Sequence, residues 1–120
     1  MSIKPETAKR LHDVSVAGHE LMEFCADRTR EDLDSDRVLQ LVVQRLIEII
    51  GEALHQAEIH DPSIVERIPD IRDIVGTRNR LIHGYDSINH RLVWDMVTLF
   101  VPSLVSVVDT ILEDAPKIGP

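Results

Sequence analysis

The sequence predicts an all-α fold, an antiparallel four-helix bundle with room for one short extra helix, on three observations. Apolar residues recur at threes and fours through four stretches of the chain. No stretch shows the strict alternation of a half-buried strand, and the second helical stretch is too broadly apolar for one neighbour to cover, so the helices pack as a bundle. At 120 residues and 43% hydrophobic content, one domain over 1–120, with its core from about 5 to 113, can bury roughly two-thirds of the surface of the unfolded chain. No internal repeat, low-complexity tract or glycine-rich phosphate loop competes with that reading.

The first helix runs from Pro5 to about Ala26, with Ala8, Leu11, Val14, Ala17, Leu21, Phe24 and Cys25 as its apolar positions and proline at the first turn, where its missing N–H costs nothing. The acidic stretch DRTREDLDSD breaks the period, and Ser35 or Asp36 is the N-cap of the second helix. That helix, about Asp36 to Glu58, is the most apolar. Leu39, Val42, Leu46, Ile49, Ala53 and Ala57 form one stripe, and Val43, Ile47, Ile50 and Leu54 a second beside it, while Gln44, Arg45, Glu48, Glu52 and His55 face water. One neighbouring helix cannot cover both stripes. The second helix is then either the central helix of the bundle or one whose second stripe forms a subunit interface.

His60, Asp61 and Pro62 close that helix, and SIVERIP is a connector with space for one short turn. Pro69 opens the third helix, which runs to about His83 on Ile71, Ile74, Val75, Leu81 and Ile82, with Gly84 as a left-handed C-cap and Tyr85 in the loop beyond. The fourth helix spans about His90 to Glu113. Pro102 should kink or break it, because proline removes an i→i−4 hydrogen bond and crowds the preceding turn.

Net charge is −8, from 13 Lys+Arg against 21 Asp+Glu, which disfavours nonspecific adhesion to nucleic acid or anionic membrane. The window from Glu66 to Arg91 departs from this, holding five arginines against four carboxylates. No secretion signal and no run of apolar residues long enough to span a bilayer stands out, so neither export nor membrane insertion is expected. The lone Cys25 lies in an apolar row, which suits a packing residue in a reducing, cytoplasmic setting. The six histidines show no metal-ligand spacing and there is no CxxC pair, so neither metal nor other cofactor is expected.

Within the window, GTRNRLIHGYDSIN (76–89) gathers Arg78, Asn79, Arg80, His83 and Tyr85. Asn79 and His83, four apart on a helix, are nearly aligned, so the amide can orient the imidazole, whereas Arg78 and His83 are offset by roughly 140°. Phosphodiester cleavage without a metal needs a base, an acid and a cation for the charge developing on phosphorus. Imidazole, with an unperturbed pKa of about 6.5, serves the first two, and guanidinium the third. One chain offers a single histidine here, so a two-fold dimer that pairs His83 with its copy would supply both. The alternative is structural: Arg78, Arg80 and His83 complement the negative end of the third helix, at about 0.3–1 kcal/mol each.

R-x-x-x-x-H, Arg78 to His83 with Asn79 beside the arginine, resembles the signature of HEPN domains, and the extended form ending H-x-Y at Tyr85 resembles the HepT-like ribonuclease toxins. RLIEIIGEAL (45–54) and LVWDMVTLFVPSL (92–104) are similar to that family's second and last helices, so the likeness covers about residues 8–113. The resemblance implies a HEPN-like homodimeric bundle and a metal-independent endoribonuclease, the toxin of a toxin–antitoxin pair. It implies His83, Arg78 and Asn79 as catalytic residues, with Arg80 and Tyr85 as RNA contacts. It further implies that an MNT-type nucleotidyltransferase antitoxin transfers AMP to Tyr85, adding charge and bulk beside His83. Where family loops after the tyrosine often carry glycine or an aromatic residue, this one reads DSIN, and Asp86 bears on RNA binding or choice of substrate. A second reading keeps the complex but not the catalysis: a helical binding partner that the nucleotidyltransferase docks on and modifies.

Overall fold

A computed structural model describes residues 3–68, 71–76 and 89–114. Pro69, Asp70 and the whole segment 77–88 lie outside the described residues. Helix α1 (Pro5–Cys25) begins with proline in its first turn, and α3 (Arg37–His60) is capped by Asp36, whose carboxylate accepts from the amides of Val38 (3.0 Å) and Leu39 (3.2 Å). The two helices pack antiparallel: Lys4 Nζ donates to the carbonyl of His60 at 3.0 Å, joining the start of one to the end of the other. Leu11, Val14, Leu21, Val43, Ile47, Ile50 and Leu54 are fully buried between them and their neighbours.

That burial decides between the two roles open to the second predicted helix. Val43, Ile47, Ile50 and Leu54 are at most 1% exposed within a single chain, so the second stripe is core and not a subunit interface. Val42, Leu46 and Ile49 of the first stripe are the ones left partly open.

The acidic stretch, expected to be a break, contains a helix, α2 (Arg30–Ser35). Its start is a capping box: Thr29 Oγ1 accepts from the Asp32 amide (3.2 Å) and Asp32 Oδ2 from the Thr29 amide (2.9 Å), which satisfies two donors a helix otherwise leaves orphaned. Leu33, 1% exposed, is its single anchor in the core. The predicted short turn is α4 (Ile64–Arg67), pinned by buried Ile64. Residues 71–76 form the described part of α5, with Ile71 and Ile74 buried. The rest of the predicted third helix, including Leu81, Ile82 and the Gly84 cap, lies outside the described residues.

The fourth predicted helix is three pieces in line: α6 (His90–Asp95), a π-helical turn (Met96–Phe100) and α7 (Val101–Glu113). Pro102 cannot donate to Thr98, and its ring crowds that carbonyl in a regular α-helix. The chain widens instead, and the Val101 amide bonds Met96, five residues back. The proline therefore sits at the start of α7 with the irregularity one turn before it. Contrary to expectation, His90–Glu113 is long and apolar enough to cross a membrane by length and composition, with a mean hydropathy of 1.7 over its best window. In the fold, Val93, Met96, Val97, Val101, Leu104, Val105, Val108 and Ile111 face the bundle and are buried, while 39% of the apolar window as a whole is covered.

Helices α1 and α7 run antiparallel, with Gly18 against Val105 and Val101 and Ser15 opposite Asp109. Ser15 Oγ donates to Asp109 Oδ1 (2.5 Å) and His19 Nε2 meets Asp109 Oδ2 (2.8 Å). Burial alone would raise the Asp109 carboxyl. The hydrogen bonds from Ser15 and His19, with the charge on His19, outweigh it and hold the group below the usual carboxylate value. A depressed folded-state value means stability present above the ordinary carboxylate pKa and lost as pH falls through the lowered one. Acid unfolding of the parent below about pH 4 should therefore be steeper than that of Asp109→Asn. Equal slopes of melting temperature against pH for the two proteins would show that the clamp contributes nothing.

Candidate active site

Arg78, Asn79, Arg80, His83 and Tyr85, the residues picked out by sequence, all lie outside the described residues. The structure describes the frame on either side of them. On the entry side, Ile71 and Ile74 anchor α5 in the core, and Arg72 Nη2 lies 3.8 Å from Glu58 Oε1 at the end of α3. On the exit side, Asn89 Oδ1 caps α6 by accepting from the Leu92 amide at 3.1 Å. His90 Nδ1 meets Asp34 Oδ1 of α2 at 2.8 Å. Asp34 is in turn set by Gln40 of α3, whose side-chain amide donates to the carbonyls of Leu33 (2.9 Å) and Asp34 (3.3 Å). The chain thus enters and leaves 77–88 at points tied to α3, directly or through α2.

The tie through α2 is the part that sequence reasoning missed. Its signal was present as Thr29-x-x-Asp32, a capping-box spacing, but the density of charge around it hid a helix with one buried side chain.

Other candidate groups are structural. Cys25 is 6% exposed, and burial pushes its thiol up against the lowering effect of Arg28, the opposite of what a thiolate nucleophile needs. Ser15, His19 and Asp109 have the composition of a hydrolase triad but the wrong order in space, because the carboxylate sits between the other two and, among the described residues, no imidazole nitrogen is placed to take the serine proton. Among the described residues, no group of three or more His, Cys, Asp or Glu side chains could hold a metal ion.

A family model described as HepT-like ribonuclease matches residues 15–111. A protein named as probable ribonuclease HepT from Thermococcus cleftensis is 34% identical over 97 residues, covering 78% of this chain and 84% of that one. A protein of Caldanaerobacter subterraneus subsp. tengcongensis, named by inference as an RNase, is 33% identical over 95 residues, 76% of this chain and 84% of its own. Another so named, from Methanocaldococcus jannaschii, is 26% identical over 113 residues, 92% of this chain and 91% of its own. No solved structure matches significantly.

Proposed function

The chain belongs to the HepT-like ribonuclease family, and from that premise we propose that it is a metal-independent endoribonuclease, the toxin of a cytoplasmic toxin–antitoxin pair. The observation that carries the reading is the family match across 15–111, which spans every residue from Arg78 to Tyr85.

In this reading the ribose 2'-hydroxyl next to the scissile phosphate is the nucleophile. His83 draws its proton as the oxygen attacks phosphorus, and Arg78 holds the non-bridging oxygens as their charge grows. The P–O5' bond breaks, an imidazolium protonates the departing oxygen, and a cyclic phosphate end remains. DNA lacks the attacking oxygen, so the activity is confined to RNA. Asn79 orients the imidazole, and Arg80 and Tyr85 contact the RNA. A base and an acid are needed together, and a homodimer that brings two copies of His83 to one cleft provides them.

The partner is an MNT-type nucleotidyltransferase antitoxin. It transfers AMP from ATP to the Tyr85 hydroxyl with release of pyrophosphate, and the added nucleotide fills the cleft and repels the RNA phosphate. Coexpression with such an enzyme should add one or more AMP units to the Tyr85 peptide, read by mass spectrometry, and silence the cleavage of RNA that the free protein shows. Tyr85→Phe should take up no AMP and stay active in the presence of the antitoxin. A modified Tyr85 on a chain that never cuts RNA would favour the noncatalytic binding partner instead.

A further inference from the structure

One row of α3 is apolar and faces water. Val38 is 64% and Leu41 50% exposed, Phe24 of α1 beside them is 41% exposed, and Val42, Leu46 and Ile49 are half-buried. At about 100° per residue, Val38, Val42, Arg45 and Ile49 lie within roughly 60° of one another around the helix, with Leu41 and Leu46 on the flanks. An open groove between α1 and α3 runs along this row, lined by Glu20, Phe24, Leu41, Val42, Arg45 and Leu46. Scattered exposed apolar side chains are ordinary, but a contiguous row of them marks an interaction surface.

We propose that a second copy of the chain covers this row, with the two α3 helices packed antiparallel and Arg45 of each chain meeting Glu20 of the other. The inference rests on the dimeric reading above and supplies its face. In a two-fold contact the same surface meets itself, so the surface must be self-complementary. With the axis between Val43 and Gln44, Val38 lies opposite the partner's Ile49 and Leu41 opposite the partner's Leu46, apolar against apolar. The same register sets the partner's Arg45 over Val42, where Glu20 walls the groove. The charges match, and by symmetry they match twice.

Both groups are available for this. Arg45 has a 72% exposed side chain whose 3.3 Å pair with Glu48 is a surface contact, and such pairs hold a side chain weakly. Glu20 is exposed and makes no hydrogen bond or ion pair among the described residues. An anionic membrane would meet the same row, but the chain's net charge of −8 opposes it.

The test is sedimentation of the full chain at micromolar concentration. The parent should be a dimer, and Leu41→Glu or Val38→Glu, both at exposed positions that the fold tolerates, should leave a monomer with unchanged helical content. Glu20→Arg and Arg45→Glu should each weaken the dimer by about tenfold or more, and the two together should restore it. A dimeric parent that survives both Leu41→Glu and Val38→Glu overturns this face and leaves the dimeric reading standing. A monomeric parent overturns both. Failure of the double charge reversal to restore association overturns the register and the Glu20–Arg45 contact. RNA cleavage by the parent, measured on the same preparation, reports on the functional reading separately.

Discussion

Replacing His83 with alanine should slow RNA cleavage by about 10²- to 10⁴-fold, the usual contribution of a positioned acid–base group, with helical content and melting temperature unchanged. The loss should be large because both proton transfers of the proposed reaction pass through imidazole, and histidine is the one residue type in GTRNRLIHGYDSIN whose unperturbed side chain changes charge near neutrality. Arg78→Ala should cost a comparable factor. Arg78→Lys should fall between alanine and the parent, because an ammonium keeps the charge and loses the planar fork that grips two phosphate oxygens. Cleavage of total RNA is the measurement, with the end group checked for a cyclic phosphate. A His83→Ala protein that cuts as fast as the parent removes the assignment. Equal rates for Arg78→Lys and the parent would show that fork geometry is irrelevant.

The parts of the fold legible in the sequence are those that near neighbours along the chain determine. The long helices α1 and α3 were plain, because Leu11, Val14, Leu21 and then Val43, Ile47, Ile50 and Leu54 repeat at the period of a buried helical face. The cap was legible to within one residue, Ser35 or Asp36, for the same local reason, since the Asp36 carboxylate accepts from amides only two and three residues ahead. Helix α2 was not. Six residues with one buried side chain give no period to count, and its existence depends on Gln40, His90 and the cap at Thr29, two of which lie outside its own turn. Which stripe of α3 turns inward was equally illegible, because periodicity tells how wide an apolar face is and not where the neighbouring helices stand. Pro102 announced a disturbance, but not that the chain would absorb it by a wider turn at Met96–Phe100. At the candidate site the residue types and spacing were readable from sequence, and the tie of its exit to α2 through Asp34 and His90 was not.

The second large effect is expected at Gly18, where α1 and α7 approach closely. The residue lies inside α1, where glycine is about 1 kcal/mol less favourable than alanine, so Gly18→Ala would stabilise the protein if the site were open. It is not open. A Cβ at position 18 would run into Cγ2 of Val105, with Val101 Cγ1 3.8 Å away. Val105 is 3% exposed and Val101 1%, and a valine in a helix has one strongly preferred χ1, so it cannot swing aside cheaply. Overpacking of this kind costs about 1–3 kcal/mol or more, which exceeds the gain in helix propensity. Gly18→Ala should therefore lower stability by about 1–2 kcal/mol, or on the order of 5 °C in melting temperature, and Gly18→Val should lower it further still. The cause is separable from a general weakness of α1 by a double-mutant cycle with Val105→Ala. That change alone opens a cavity and destabilises, but in combination it removes the clashing methyl, so the double variant should lose less than the two single losses added together. If the losses simply add, or if Gly18→Ala raises the melting temperature as helix propensity alone demands, then the contact between α1 and α7 is looser than described. The Ser15–Asp109–His19 clamp, which sits one turn along the same contact, would lose its basis as well.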